Sequence, residues 1–155
     1  MKVDLSKCDV KQRRMLAETI PSNCIELDNL SKDSDAGVRA NVAANRATSE
    51  SILRQLAKDS AVDVRWMVAK NPNTPADLFT DFANDPALCV RQNAAKDPRT
   101  SAEGLMILIK EDDFRINGYL AMNPNVTPEM EAEICSNMLS WERTGWDARR
   151  HPIVK

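Results

Sequence analysis

The sequence predicts an all-α fold built from repeated pairs of short helices. Similar residues recur every 26 positions through most of the chain, and the recurring segments place helix-start residues before apolar residues spaced by three and four. A fixed period of between about 20 and 50 residues is typical of stacked supersecondary units. The columns that keep this period are Asp33, Asp59, Asp85 and Glu111; Val38, Val64, Val90 and Ile116; Ala43, Ala69, Ala95 and Ala121; Leu30, Leu56, Phe82 and Leu108; and Asn45, Asn71, Asp97 and Asn123.

Residues 74 to 99 illustrate one helix pair. Thr74 and Pro75 have the form of a helix start, because the hydroxyl can cap free amides and proline fits the first helical position. Asp85 is the expected N-cap of the second helix, which ends near Lys96 because the residue before Pro98 is disfavoured in helical geometry. The predicted buried stripe consists of Leu78, Phe79, Phe82 and Ala83 in the first helix and Val90, Ala94 and Ala95 in the second.

Two further segments carry the same type of helix start. Thr100-Ser101-Ala102-Glu103 has the form of a capping box, and Thr127-Pro128-Glu129 repeats the proline version. Each predicted helix has roughly eight to eleven residues and is marginal alone, so its stability must come from burial against neighbouring pairs. The alanine column fits this arrangement, since a small side chain lets successive second helices approach closely.

The two ends depart from the period. Arg13, Leu16 and Ala17 lie 26 residues before their counterparts and predict a degenerate second helix that covers the stack, whereas Trp141–Lys155 has no counterpart. First helices are expected over about 22–30 and 129–139. The single repeat domain over 1–155 is predicted to comprise an N-terminal cap, 1–22, the repeats 23–48, 49–74, 75–100 and 101–126, and a C-terminal repeat and cap, 127–155.

The repeat resembles that of the leucine-rich-repeat variant (LRV) family. The resemblance lies in Leu56-Ala57-Lys58-Asp59, Val64-Arg65, Val68-Ala69 and Asn71-Pro72-Asn73-Thr74-Pro75, and covers about residues 27 to 130. It implies a short right-handed α-solenoid, a superhelix of four to five two-helix repeats related to HEAT arrays. Some members bind iron and sulfur through an N-terminal cysteine cluster, but Cys8 and Cys24 stand alone here, so no cofactor is expected.

Composition limits the classes of function. The net charge of −2 and pI near 5.5 argue against a dedicated nucleic-acid binder, and no apolar run is long enough for a membrane span. The start of the chain lacks the apolar run of a signal peptide. The cysteines at 8, 24, 89 and 135 form no close pair, which favours free thiols in a reducing cytoplasm over disulfides or a zinc site.

Two polar columns are interpreted as structural. Arginines follow the column of acids at a spacing of six residues, and they can pair with carboxylates or free carbonyls; a ligand-binding arginine row is the alternative, although the column fails at Asn117. The asparagines are expected to satisfy backbone groups at the turns between helices. The structural residues are Asp33, Asp59, Asp85, Arg39, Arg65, Arg91, Asn45, Asn71 and Asn123.

The outward side of the second helices is the predicted binding surface. Its residues vary between repeats. Trp66 is the most distinctive of them, and we expect it to be either an interface anchor or a contact with an end cap. We expect a non-enzymatic module that binds a protein as an adaptor, inhibitor or immunity-type factor. The candidate partner-binding residues are Trp66, Met67, Lys70, Gln92, Asn93, Lys96, Tyr119 and Met122.

Two other functions are less favoured. A nucleic-acid-binding HEAT-like repeat protein could use a basic track, but acidic residues are interleaved along the same side. An enzyme is not expected, because the single histidine, His151, lies outside any nucleophile motif and four glycines leave no phosphate loop. The basic track would consist of Lys70, Lys96, Arg99, Arg115, Arg149 and Arg150.

Overall fold

The computed structural model describes residues 4–21, 25–111 and 113–143, and leaves out the side chains of 140–143. Over these ranges the chain forms ten α-helices and one 3₁₀ turn, with no strand. The all-α prediction is therefore confirmed. The helices belong to two compact units, Met1–Leu78 and Phe79–Lys155.

The first unit is centred on its third helix. α3 packs against both α1 and α5, while α2 packs against α1 and α3, and α4 against α3 and α5. Val38, Val42 and Val64 are fully buried in this interior. Its elements are a 3₁₀ turn, Leu5–Lys7, and the helices α1 (Val10–Thr19), α2 (Ile25–Leu30), α3 (Ala36–Ala44), α4 (Glu50–Leu56) and α5 (Val62–Lys70).

The second unit repeats the same kind of packing. Its helices are α6 (Leu78–Ala83, of which Leu78 closes the first unit), α7 (Leu88–Lys96), α8 (Ala102–Lys110), α9 (Phe114–Leu120) and α10 (Pro128–Arg143). α7 packs against α8 and α9, and α10 packs against the same two helices. Leu105, Leu108 and Ile116 are fully buried between them. α7 ends at Lys96, as predicted.

The aspartates of the acidic column, Asp33, Asp59 and Asp85, form turns and are not N-caps. Asp85 Oδ1 accepts a hydrogen bond from the amide of Ala87 at 2.8 Å, and α7 begins only after Ala87. Asp59 makes the same contact with Ala61 at 2.8 Å. The N-cap prediction for Asp85 is wrong because the carboxylate closes an Asx turn two residues before the cap.

The threonines also act differently from the prediction. Thr74 Oγ1 donates to the carbonyl of Val68 at 2.5 Å, and α6 begins only at Leu78. Thr100 likewise donates to Ala94, at 2.6 Å, and the N-cap of α8 is Ser101. These hydroxyls satisfy carbonyls in the last turn of the preceding helix. The next helix therefore starts late, and α4 and α6 have only seven and six residues.

The proline helix start at Thr127 is confirmed. Pro128 is the first residue of α10, and the amide of Met130 donates to Thr127 Oγ1 at 3.4 Å. The helix continues to Arg143, beyond the expected end near residue 139. The predicted positions at 22–24 and 144–155, which include Cys24, Trp146, Arg149, Arg150 and His151, lie outside the described residues.

The alanine column is buried at three of its four positions. Ala43, Ala69 and Ala95 lie in the interior, whereas Ala121 follows the last residue of α9 and is exposed. The expectation that Ala121 makes the same close contact is wrong, because Ala121 follows the end of α9 at Leu120 and is exposed. The valine–isoleucine column is fully buried at all four of its positions.

Three buried asparagines, here called the asparagine ladder, bridge the turns. Asn71 Nδ2 donates to the carbonyls of Ala43 and Asn45, at 2.6 and 3.0 Å. Its Oδ1 accepts from the amide of Asn73 at 2.9 Å. Asn45 and Asn123 make the corresponding contacts, with Ala17, Ile20 and Ala47 and with Ala95, Asp97 and Asn125. Each side chain therefore fastens its own turn to the preceding helix pair.

Replacing Asn71 by alanine tests this ladder. The change removes three hydrogen bonds and leaves buried backbone groups without partners, so we expect the free energy of unfolding to fall by about 2 to 4 kcal/mol. Urea denaturation followed by circular dichroism measures this. The control is Asn73→Ala, which removes one exposed bond to the carbonyl of Arg46 and should cost less than about 1 kcal/mol. Equal losses would contradict the assignment.

In the described part of the second unit, Asn117 is buried but lacks the side-chain hydrogen bonds that the asparagine ladder makes. It is 0% exposed, and neither its Nδ2 nor its Oδ1 has a hydrogen-bond partner there. We expect Asn117→Leu to raise the free energy of unfolding by about 1 kcal/mol, because it removes an unpaired amide while keeping the branching at Cγ. The same change at Asn123 should destabilise the fold. A loss of stability at Asn117 of similar size would overturn this expectation.

Candidate partner-binding surfaces

The first candidate surface, the α5 face, consists of Trp66, Met67 and Lys70. These residues lie within two turns of α5, and the ammonium of Lys70 is 4.2 Å from the centroid of the Trp66 ring. Trp66 and Met67 are half-buried and Lys70 is exposed. A lysine over an indole at an exposed site is worth about 0.5 to 1 kcal/mol. The pair therefore presents an indole partly covered by its own cation.

The second candidate surface, the α7–α9 face, consists of Gln92, Lys96, Tyr119 and Met122. Lys96 ends α7, and its ammonium lies 5.8 Å from the centroid of the Tyr119 ring on α9. Tyr119 is 36% exposed and Met122, two residues beyond α9, is 76% exposed. Gln92 is half-buried beside them on α7. This face combines one cation with two large side chains open to solvent.

Asn93 does not belong to either surface. It is only 4% exposed, and its Nδ2 has no hydrogen-bond partner among the described residues. The prediction that it faces a partner is wrong. Asn93 lies one helical turn after the fully buried Val90, and α9 packs against α7, so the edge of the stripe is covered.

Val62 and Leu139 are among the exposed apolar residues that the sequence reasoning missed. Val62, which is 40% exposed, begins α5 and lies one turn before Trp66, so it extends the α5 face. Leu139 is exposed on α10 in the second unit. The spacing of four between Val62, Trp66 and Lys70 was a usable signal for the first of them. No comparable spacing in the sequence marks Leu139, because α10 is longer than the first helix that the repeat predicts.

The arginines of the repeat, here called the arginine ladder, make structural contacts. Arg39 donates from Nε and Nη2 to the carboxylate of Asp59, at 2.6 and 2.9 Å, and from Nη1 to the carbonyl of Asp33 at 2.7 Å. Arg91 spans Glu111 and the carbonyl of Asp85 in the same way. Arg13 pairs with Asp33, and Arg65 Nη1 donates to the carbonyl of Asp59 at 2.8 Å. The carbonyl contacts join an arginine to the turn before its own helix, and the carboxylate contacts join it to the turn before the next second helix.

These ion pairs lower the pKa of two acids of the first unit. The hydrogen bonds from Arg39 lower the pKa of Asp59 below its usual value, against the opposing effect of burial. For Asp33, burial raises the pKa, but the hydrogen bonds from Arg13 and from the amide of Asp35 outweigh it, so the pKa is lowered. Both carboxylates therefore favour the charged form in the folded chain.

The described residues of the expected basic track are partly neutralised. Arg99 pairs with Asp97 at 2.8 Å, and its guanidinium lies 4.5 Å from the centroid of the Phe79 ring. Arg115 pairs with Asp113 at 2.7 Å, and its hydrogen bonds lower the pKa of that acid. Lys70 and Lys96 rest on aromatic rings. Two of these four cations therefore already have a carboxylate partner.

Comparison of the chain with protein-family models, with curated proteins and with solved structures found no match. Within the described ranges, none of the helices combines the length and the apolar character that crossing a membrane requires. The same residues contain no group of three or more histidine, cysteine or acidic side chains arranged to hold a metal ion.

The Arg39–Asp59 pair predicts a dependence of stability on pH. Because the pKa of Asp59 is lowered in the folded chain, its contribution is present above the unfolded pKa of about 3.9 and is lost as the pH falls toward the folded value. We expect Asp59→Asn to cost about 1 to 3 kcal/mol at pH 7 and to flatten the fall in stability below about pH 5. Urea denaturation over this pH range measures both effects.

Asp63→Asn is the matched control, since Asp63 is exposed in the first turn of α5. It should leave stability at pH 7 within about 0.5 kcal/mol of the unchanged chain. If Asp59→Asn preserves the full acid dependence, the ion pair does not contribute as described.

Proposed function

We propose that the chain is a non-enzymatic protein-binding module that acts as an adaptor, inhibitor or immunity-type factor. The observation that carries the proposal is the partly exposed aromatic and aliphatic surface on second helices of both units. The α5 face offers Trp66 with Lys70, and the α7–α9 face offers Tyr119 with Met122 and Lys96. Aromatic side chains of this kind are enriched at the energetic centres of protein interfaces.

The proposal includes the 26-residue helix pair as a repeat of the α-solenoid type, similar to that of the LRV family, in a cytoplasmic protein. The recurring hydrogen bonds of the asparagine ladder support it, since Asn71 and Asn123 both reach carbonyls 26 and 28 residues earlier. In repeat proteins the core columns stay alike while outward columns vary and bind. The difference between the α5 face and the α7–α9 face follows that division.

The ion pairs favour a protein partner over nucleic acid. Backbone recognition of nucleic acid uses several cations that are free to meet phosphates. In the described part of the chain, Arg99 and Arg115 each already pair with an aspartate close in sequence. The candidate surfaces instead combine one lysine each with aromatic and aliphatic side chains, which suits a protein surface.

Removal of the two aromatic anchors tests the proposed function. The tagged chain is used to capture its partner from native cells, and the same capture is repeated with the Trp66→Ala, Tyr119→Ala double variant. We expect at least a tenfold loss of captured partner at equal bait, because truncated anchor residues cost about 2 kcal/mol or more each. Met122→Glu provides a second variant at a residue too exposed to affect folding.

The control combines Met15→Ala with Leu139→Ala, which removes two exposed apolar residues from α1 and α10. Circular dichroism verifies that every variant keeps its helix content. Capture that survives both the double variant and Met122→Glu would refute these faces as the binding surface.

A further inference from the structure

We propose that the α7–α9 face binds a protein segment that carries a carboxylate next to a large apolar side chain, an inference that rests on the proposed function. The carboxylate would meet Lys96, and the apolar side chain would cover Tyr119 and Met122. The occupant is thus defined by two chemical groups a short distance apart in one segment.

The charges around this face select a negative group. Neither α7 nor α9 contains an aspartate or glutamate. The described acids that flank the two helices are Asp85, Asp97, Glu111 and Asp113. Asp85 is buried in the turn before α7, and each of the other three pairs with an arginine of the same unit. Arg91 and Arg115 are occupied by these pairs. Within the described part of the unit, Lys96 is a cation on the face with no ion-pair partner, so it can accept an external carboxylate.

The position of Lys96 separates this charge from the protein interior. The residue is exposed at the last position of α7, where a cation is also favoured by the helix dipole. Its ammonium lies over the ring of Tyr119, which is itself partly exposed. A carboxylate can therefore approach it from solvent while the ring remains in place beneath it.

The apolar part of the face is formed by α9 and the turn that follows it. Met122 is among the most exposed large apolar side chains in the described chain, and Tyr119 beside it is partly open. Methionine adapts to apolar partners of different shape because its side chain is unbranched and polarisable. An apolar side chain of the partner would bury both residues, while Lys96 fixes the direction of the segment.

The same geometry argues against a single-stranded nucleic acid. Bases bind proteins by stacking on open aromatic faces beside several cations. Here Lys96 already lies over the ring of Tyr119, and Arg115 is paired with Asp113. The face thus offers one free cation and an apolar edge, which fits a peptide better than a polyanion.

A random peptide library displayed on phage and selected against the full chain tests the inference. We expect the enriched peptides to share an acidic residue within a few positions of a large apolar residue. The affinity of the best peptide, measured by fluorescence anisotropy, should fall about tenfold or more with Lys96→Glu. A peptide with lysine in place of its acidic residue should bind Lys96→Glu more tightly than it binds the unchanged chain.

Lys110→Glu is the matched control, because Lys110 is also an exposed lysine at the last position of a helix, α8. It should change the affinity by less than about twofold. Met122→Glu should weaken binding of the peptide, since it places a like charge beside the acidic residue.

Three results would overturn the inference: no enrichment, a basic consensus, or affinity unaffected by Lys96→Glu. Binding of a 20-nucleotide single-stranded DNA that is lost with Lys96→Glu would also overturn it, by assigning the face to nucleic acid. A native partner whose capture needs Trp66 and Tyr119 but not Lys96 would overturn the inference and leave the proposed function standing.

Discussion

The fold depends on how the chain satisfies the ends of very short helices. A helix leaves its last four carbonyls without intrahelical partners, so helices of six to ten residues are dominated by their ends. In the interior, the asparagine ladder supplies hydrogen-bond donors to such carbonyls. One amide such as that of Asn71 donates to two carbonyls of the preceding helix pair and accepts an amide of its own turn. Because these carbonyls and amides are paired, the turns can be buried beside the apolar stripes without leaving backbone groups unsatisfied.

The arginine ladder leaves the outer faces to other residues. A guanidinium such as that of Arg39 uses its fork on a carboxylate and its remaining donors on the backbone, so little of it stays open to a partner. The exposed cations of the candidate surfaces are lysines, Lys70 and Lys96, which rest on aromatic rings. Structural charge and surface charge are thus carried by different residue types on the same helices.

The sequence predicts the helices, the buried columns and the end of α7, because a 26-residue period and helical spacing both mark apolar positions. It fails at the starts of α6 and α7. Thr74 and Asp85 can each bond to several nearby backbone groups, and sequence alone does not say which one they choose. It also fails for Asn93, whose burial depends on the neighbouring helix α9 rather than on its own helix. The sequence predicts that the candidate surfaces lie on the outward side of the second helices. It does not predict which residues on that side are exposed and which are buried.

The two cation–aromatic pairs show why a repeating column does not define a binding face by itself. Lys70 and Lys96 occupy the same column, 26 residues apart. Lys70 lies over Trp66 of its own helix, whereas Lys96 lies over Tyr119 of the next second helix in its unit. The column fixes where each lysine lies on its helix. The ring that the lysine contacts lies on the same helix in one case and on a neighbouring helix in the other. In both cases a lysine ammonium lies over one face of the ring, so a partner side chain meets the cation together with the ring. The chemistry available to a partner is therefore set by contacts within and between helices, which the periodic pattern does not encode.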